Sequence, residues 1–262
     1  MTEKEMKQKS IRRATKRSRT LRRGAALLPS MFTVGNMFCG YYAIVLGIND
    51  HFERAVWMII IAGVLDSLDG RIARLTNSTS EFGKELDTLS DFLSFGLAPA
   101  LVLYSWSFRD LGRLGWLLSL LLPVAGAMRL ARFNVQSDKI DKKFFVGLPI
   151  PAAAAAAVLP LFYLPKDGLP DTLKVAALVY VVSLAWLMVS KVKYRSFKDV
   201  DLRERRSYKT VFEIALILIL VAWKPRLVLL AIALVYATSG PAMWLWNRVF
   251  TTNNDSSANP ES

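Results

Sequence analysis

Four aspartates are spaced so that two short helices would gather them in one place. Asp66 and Asp69 stand three residues apart, and Asp87 and Asp91 stand four apart. Residues at these spacings share a helical face, so each pair projects from one side of its helix. The stretch RLTNSTSEF between the pairs is long enough to reverse the chain. The spacing therefore predicts two antiparallel helices that point four carboxylates at each other.

The flanking sequence makes these acids costly unless a cation accompanies them. WMIIIAG precedes the first pair and LAPALVLYSW follows the second, and both stretches have a lipid-like composition. An acid within a spanning helix costs on the order of 3 kcal/mol, and neighbouring carboxylates repel each other. Two divalent ions with oxygen ligands, about 4 Å apart, relieve such repulsion and stabilise phosphoryl displacements. A lone Asp-x-x-Asp pair is common on solvated helices, whereas two pairs in this setting favour a metal site.

The remaining sequence predicts the helices that would carry this site. Of 262 residues 53% are hydrophobic, yet the formal net charge is +13. That combination is typical of a multispan membrane protein with basic water-facing segments. Windows of about 20 apolar residues predict an all-α fold, a polytopic integral membrane helical bundle with about eight transmembrane helices. The predicted spans are 26–49, 54–75, 84–107, 112–133, 148–165, 173–190, 210–223 and 226–248.

Charge asymmetry predicts which end of each span faces the cytoplasm. The N-terminal stretch MTEKEMKQKSIRRATKRSRTLRRG is strongly basic and has no apolar period. The connections after the second, fourth and sixth spans are also rich in Lys and Arg, so the positive-inside rule places them in the cytoplasm with the N-terminus. Nucleic-acid binding by the arm is not expected. The predicted segments are a basic cytoplasmic arm 1–25, a core 26–165 that carries the four aspartates, C-terminal transmembrane helices 166–250 and a disordered tail 251–262.

The aspartates belong to a longer pattern that resembles a known family signature. The run DSLDGRIARLTNSTSEFGKELDTLSD, residues 66–91, matches D-x-x-D-G-x-x-A-R-x8-G-x3-D-x3-D, the signature of the CDP-alcohol phosphotransferase family, without a gap or substitution. LPSMFTVGNMFCG, RLARFN and FFVGLPIPAAA further resemble the membrane-integral bacterial phosphatidylserine synthases of this family. Ser30 departs from the pattern, because many members have Asn after that proline.

The resemblance implies an activity, a metal requirement and a set of site residues. The implied reaction transfers the phosphatidyl group from CDP-diacylglycerol to the hydroxyl of L-serine, giving phosphatidylserine and CMP. The implied enzyme is a homodimer in the cytoplasmic (inner) membrane of a bacterium, with its active site facing the cytoplasm. Two Mg²⁺ or Mn²⁺ ions would be held by Asp66, Asp69, Asp87 and Asp91, with Asp91 also the catalytic base. CDP-diacylglycerol would be bound by Thr33, Asn36, Gly70, Ala73, Arg74 and Gly83.

The acceptor is constrained less tightly than the reaction. Arg129 and Arg132 lie at the predicted cytoplasmic end of the fourth span, and Asn134 lies just beyond it; there they would bind the serine carboxylate or a lipid phosphate. The same arginines also satisfy the positive-inside rule. Glycerol 3-phosphate is anionic too, so a phosphatidylglycerophosphate synthase is the alternative within the family. A cation or proton transporter is the alternative from another class, although its acids would be spread over several spans.

A covalent route through phosphohistidine is excluded by the histidine content. An unrelated class of phosphatidylserine synthases uses that route and requires paired His-Lys-Asp motifs. His51 is the single histidine of the chain and falls in a loop on the side opposite the aspartates. The sequence therefore predicts direct displacement at phosphorus.

Overall fold

The chain is a bundle of packed helices. The computed structural model describes residues 30–75, 80–136, 144–195 and 208–255, so the basic arm 1–25 lies outside the described residues. Within the described part, the prediction of a helical fold is confirmed. The helices are α1 Ser30–Ile48, α2 Phe52–Leu75, α3 Glu81–Asp91, α4 Ala98–Leu103, α5 Gly112–Ser119, α6 Leu121–Gln136, α7 Ile150–Val158, α8 Asp171–Val189, α9 Tyr208–Trp223 and α10 Pro225–Asp255.

Irregular turns join several of these helices into longer rods. A π-helical segment, Phe92–Leu97, connects α3 to α4, and Pro99 just beyond it has no N–H to donate to the helix. The N–H of Ala98 bonds to the carbonyl of Leu93, five residues back, as a π-turn requires. A second π-helical segment, Tyr104–Phe108, follows α4. The predicted span 84–107 is thus one continuous rod with two widened turns.

The helical run from Glu81 to Val135 reverses direction near its middle. A 3-10 turn, Arg109–Leu111, ends the first half, and Gly112 follows with a φ of 57°, a left-handed conformation that glycine adopts without strain. Helix α6 then packs along the π-helical segment Phe92–Leu97. The run therefore forms a helical hairpin, as the predicted spans 84–107 and 112–133 require.

Two tyrosine hydroxyls satisfy carbonyls that prolines leave open. Pro160 and Pro241 lack the N–H groups that would bond to the carbonyls of Ala156 and Ala237 four residues earlier. The hydroxyl of Tyr180 donates to the Ala156 oxygen at 2.9 Å. The hydroxyl of Tyr194 donates to the Ala237 oxygen at 3.1 Å. Because an unmet backbone acceptor is costly away from water, these bonds tie α8 to α7 and the segment after α8 to α10.

Small side chains place α7 at the centre of the bundle. Its sequence IPAAAAAAV buries four alanines, and the helix contacts α2, α4, α6, α8 and α10. Alanine and glycine allow helix backbones to approach closely, which stabilises helix association inside a membrane. The buried core includes this helix together with Leu148 before it and Leu159, Leu161 and Phe162 after it.

Two three-residue strands are the exception to the helical architecture of the described residues. The strand β1, Phe144–Val146, follows α6, and β2, Lys193–Arg195, follows α8. They pair antiparallel, with Phe145 opposite Tyr194. The strands lie in two of the predicted basic connections, so these connections are joined at the same end of the bundle.

Four helical segments of the described chain are long and apolar enough to cross a membrane. They are Ser30–Ile48, Glu81–Val135, Asp171–Val189 and Pro225–Trp246. Helix α2 and the shorter α7 and α9 are not among them. The total of about eight spans therefore stays a prediction. Helix α10 extends to Asp255, into the segment assigned to the C-terminal tail, and residues 256–262 lie outside the described part.

Candidate active site

Helices α2 and α3 bring the four aspartates together. Asp66 and Asp69 lie on the last turns of α2, and Asp87 and Asp91 lie on α3. One carboxylate oxygen from each of Asp66, Asp69 and Asp87 lies within 4.8 Å of the others. The Asp91 carboxyl group lies against that of Asp66, and it is close enough to Asp69 and Asp87 to interact with them electrostatically. The two helix faces that the spacing predicts therefore meet.

This arrangement suits a hard divalent cation. Asp69 is buried and its neighbours Asp66 and Asp87 are half-buried, so water screens their mutual repulsion only in part. Carboxylate oxygens are the ligands that Mg²⁺ and Mn²⁺ prefer, and a cation among them would offset the repulsion. The donor set of the cluster therefore fits the predicted metal, without distinguishing Mg²⁺ from Mn²⁺.

Helix α1 supplies a layer of hydrogen bonds beneath the acids. The hydroxyl of Thr33 donates to Asp69 Oδ2 at 3.1 Å, and the amide of Asn36 reaches Asp91 Oδ1 at 3.5 Å. Both α1 side chains are buried. The structure thus gives each of them an aspartate as a partner, while direct contact with CDP-diacylglycerol stays a prediction. Such bonds orient a carboxylate toward a metal.

The two glycines of the pattern differ in their surroundings. Gly70 is exposed, and a Cβ added there would meet no atom within 4 Å. Nothing in the described fold therefore demands glycine at this position. At Gly83 the added Cβ would lie 3.1 Å from Ser80 Oγ, which caps α3 by accepting a bond from the Gly83 N–H. Ala73 is half-buried on α2, and the side chain of Arg74 lies outside the described part of the structure.

The predicted acceptor residues lie on α6 in three different settings. Arg129 is half-buried, its Nε has no hydrogen-bond partner among the described residues, and its guanidinium is within Coulombic range of Asp91. Arg132 instead donates to the carbonyl of Val189, the last residue of α8, at 3.4 Å. A cation at a helix C-terminus is favourable, so this bond gives Arg132 a structural role. Asn134 donates to Thr88 Oγ1 at 3.1 Å.

The structure also adds contacts that the pattern does not contain. Ser90 and Ser94 are fully buried, and their hydroxyls donate to the carbonyls of Thr33 and Asn36 on α1. Tyr236 of α10 lies within Coulombic range of Arg129. The two serines carried a signal in the sequence, because they stand four residues apart on one helical face and Ser94 interrupts the apolar run that follows Asp91. Tyr236 carried none, since an isolated tyrosine in a predicted span is common.

The opposite end of the bundle holds the single histidine. His51 lies in the turn between α1 and α2 and lines a cleft of about 320 Å³ with Glu53 and Lys166. Asp69 lies 18 residues further along the chain, a separation of about 27 Å along α2. His51 is therefore remote from the acids.

Comparison with known proteins agrees with this geometry. Residues 26–190 match the sequence profile of the CDP-alcohol phosphatidyltransferases. A CDP-diacylglycerol–serine O-phosphatidyltransferase from Helicobacter pylori is 37% identical over 221 residues, which cover 84% of this chain and 92% of that protein. The enzyme of the same name from Bacillus subtilis is 35% identical over 65% of this chain and 91% of its own length.

A relative from an archaeon extends the similarity beyond bacteria. An archaetidylserine synthase from Methanothermobacter thermautotrophicus is 38% identical over 169 residues, covering 64% of this chain and 69% of that protein. The matched profile spans the whole four-aspartate cluster and both helices that carry it. With the profile and full-length relatives in agreement, the chain belongs to the CDP-alcohol phosphatidyltransferase family.

Proposed function

We propose that this protein is a phosphatidylserine synthase. It transfers the phosphatidyl group of CDP-diacylglycerol to the hydroxyl of L-serine and releases CMP. The observation that carries the reaction type is the cluster of four aspartates on two adjoining helix faces, inside the segment that defines the family. The names of the bacterial relatives support serine as the acceptor.

Asp66, Asp69 and Asp87 would hold the divalent ions of this reaction, with Asp91 as a further ligand of the second ion. Mg²⁺ or Mn²⁺, two ions, would supply charge neutralisation for the diphosphate and for the oxygens that attack and leave phosphorus. Thr33 keeps the Asp69 carboxylate oriented, and Asn36 does so for Asp91. These residues define the end of the site that holds the diphosphate.

CDP-diacylglycerol would bind over the exposed backbone of α2. The space above Gly70 supports this placement, because a nucleotide can lie directly against a helix that carries no side chain there. Ala73 on α2 and Gly83 on α3, which carry at most a methyl group, would also line this binding surface. Arg74 follows one turn after Gly70, where a guanidinium would pair with phosphate oxygens.

Asp91 would act as the general base. As the serine oxygen forms its bond to the phosphorus linked to diacylglycerol, Asp91 accepts the hydroxyl proton, and the bond from that phosphorus to the CMP oxygen breaks. CMP departs with the bonding electron pair, so charge and atoms balance. A general base contributes about 10²- to 10⁴-fold to such a rate.

Arg129 would bind the carboxylate of serine. Its unpaired Nε and its proximity to Asp91 would hold the acceptor hydroxyl next to the base. Arg132 and Asn134 would support this position from the same helix, through their bonds to Val189 and Thr88. Glycerol 3-phosphate has an anionic group as well, so the acceptor must be assigned by assay.

The protein would lie in the inner membrane of a bacterium as a homodimer, with about eight spans and with the aspartates at the cytoplasmic face. A catalytic core at 26–165 would be followed by C-terminal transmembrane helices at 166–250. The acids lie at one end of two adjacent helices, and this concentration favours an enzyme over an ion pathway that crosses the membrane.

An acceptor assay tests this function. Detergent-purified protein is given CDP-diacylglycerol and Mn²⁺ with L-serine, glycerol 3-phosphate or inositol, and CMP release is measured. We expect serine-dependent CMP. CMP release with glycerol 3-phosphate alone would show that glycerol 3-phosphate, and not serine, is the acceptor. If no acceptor raises CMP release, the proposed enzymatic function is wrong.

A further inference from the structure

Two buried serines join α1 to α3, which carries Asp87 and Asp91, and to the π-helical segment that continues α3: Ser90 lies on α3 and Ser94 on that segment. Ser90 Oγ donates to the carbonyl of Thr33 at 3.1 Å, and Ser94 Oγ donates to the carbonyl of Asn36 at 3.0 Å. Both serines have 0% exposure. The hydroxyls therefore bond across helices, whereas serines within helices commonly bond back to their own backbone.

The two α1 residues held in this way are the same two that contact the acids. Thr33 and Asn36 accept through their backbone oxygens and donate through their side chains, to Asp69 and Asp91 respectively. Each serine therefore bonds to the backbone of a residue whose side chain orients a carboxylate. A shift of the α1 backbone would move both donors away from the cluster.

Close helix packing limits how else this contact can be made. A Cβ added to Gly40, one turn after Asn36, would lie 2.8 Å from the Cα of Ser94. A Cβ added to Gly47 would lie 3.3 Å from the Cα of Val102 on α4. The helices therefore touch along a seam of several turns, and the serine hydroxyls set the position of α1 along that seam.

We propose that Ser90 and Ser94 are positioning residues of the metal centre. They hold α1 so that Thr33 and Asn36 keep Asp69 and Asp91 aimed at the divalent ions. This inference rests on the proposed metal-dependent function. It goes beyond the aspartate pattern, because it adds residues that touch neither metal nor substrate.

Metal binding in the absence of substrate tests the proposal. Full-length protein in detergent is freed of metal with a chelator, and Mn²⁺ binding is followed by the loss of the electron paramagnetic resonance signal of free Mn²⁺. We expect Ser90→Ala and Ser94→Ala each to raise the Mn²⁺ Kd by about three- to tenfold, the effect of losing one neutral hydrogen bond. Ser183→Ala is the matched control, because Ser183 is exposed and bonds only within α8, to the Val179 carbonyl.

A double-mutant cycle tests the route of the effect. Thr33→Val removes the hydroxyl that reaches Asp69 and keeps the side-chain volume. In that background we expect Ser90→Ala to change the Mn²⁺ Kd by less than twofold, since its effect passes through Thr33. Full additivity of the two substitutions would overturn this route.

The outcomes separate this inference from the proposed function. If the wild type and the serine variants bind Mn²⁺ equally well, the positioning role is wrong and the proposed metal site still stands. Wild-type protein that binds no Mn²⁺ overturns both. If an alanine variant is not monodisperse, Ser90→Cys and Ser94→Cys decide by the same comparison, because they keep the volume and weaken the donor.

Discussion

Replacing Gly70 by alanine tests whether glycine is required at this position by the fold or by substrate binding. Gly70 lies inside α2, where alanine stabilises a helix by about 1 kcal/mol relative to glycine. Apart from the surrounding backbone of α2 itself, the new methyl group would meet no atom of the described residues within 4 Å, so this gain is not offset by a clash. We therefore expect Gly70→Ala to unfold at the same temperature as wild type or higher.

The same methyl group should obstruct CDP-diacylglycerol if the nucleotide lies against this backbone. Forcing a methyl group into a close contact costs about 1–3 kcal/mol, which corresponds to roughly a 5- to 150-fold rise in the KM for CDP-diacylglycerol. Initial rates of CMP release at saturating serine measure this constant, and thermal unfolding in detergent measures stability.

Gly63→Ala is the matched control on the same helix. A Cβ there would lie 3.8 Å from the nearest atom, Phe95 Cε1, which is ordinary van der Waals contact. Gly63→Ala should leave the KM for CDP-diacylglycerol close to the wild-type value. Its unfolding temperature should equal or exceed that of wild type. A KM within twofold of wild type for Gly70→Ala would refute the placement of the nucleotide over α2.

Three further predictions test the packing, the metal and the acceptor. Gly40→Ala should lower the free energy of unfolding by about 1–3 kcal/mol, because its Cβ would lie 2.8 Å from Ser94 Cα. Unfolding at or above the wild-type temperature would contradict this close packing of α1 against Ser94. Chelation should abolish CMP release and added Mn²⁺ should restore it, whereas full activity after exhaustive chelation would remove the metal from the account. Arg129→Ala should raise the KM for serine at least about tenfold and leave that for CDP-diacylglycerol unchanged, as a lost charged hydrogen bond predicts. Arg113→Ala, an exposed arginine on α5, should match wild type, and an unaltered serine KM in the Arg129 variant would exclude that residue from the acceptor site.

The faces of α2 and α3 were predictable because they depend only on local spacing. Asp66 and Asp69 share a face wherever α2 is a helix, and the same holds for Asp87 and Asp91 on α3. The short linker leaves the two helices few ways to pack other than side by side. The convergence of the acids therefore follows from the sequence.

The partners of Thr33 and Asn36 depend on tertiary packing and could not be predicted in this way. Their bonds to Asp69 on α2 and Asp91 on α3 require α1 to lie at one position against both helices, and residues distant in the sequence set that position. The bond from Arg132 to the end of α8 is likewise a contact between distant segments. Spacing along one helix carries no information about such contacts.

The irregular segments show a second limit of sequence patterns. The predicted span 148–165 is divided into α7 and a 3-10 turn, Leu159–Phe162, because Pro160 cannot continue the α-helical bonding. The break itself is a local property of proline. That the hydroxyl of Tyr180 would satisfy the carbonyl left open is not, since Tyr180 lies on another helix.

The central claim is that Asp91 activates the hydroxyl of serine beside a metal-bound CDP-diacylglycerol. The most direct measurement is formation of labelled phosphatidylserine from labelled L-serine by wild type and Asp91→Asn, alongside binding of CDP-diacylglycerol to both proteins. We predict that the substitution lowers kcat at least about 100-fold while binding of the CDP-lipid persists. Labelled phosphatidylserine formed by the variant at the wild-type rate would contradict the role of Asp91, and none formed by wild type would contradict the account as a whole.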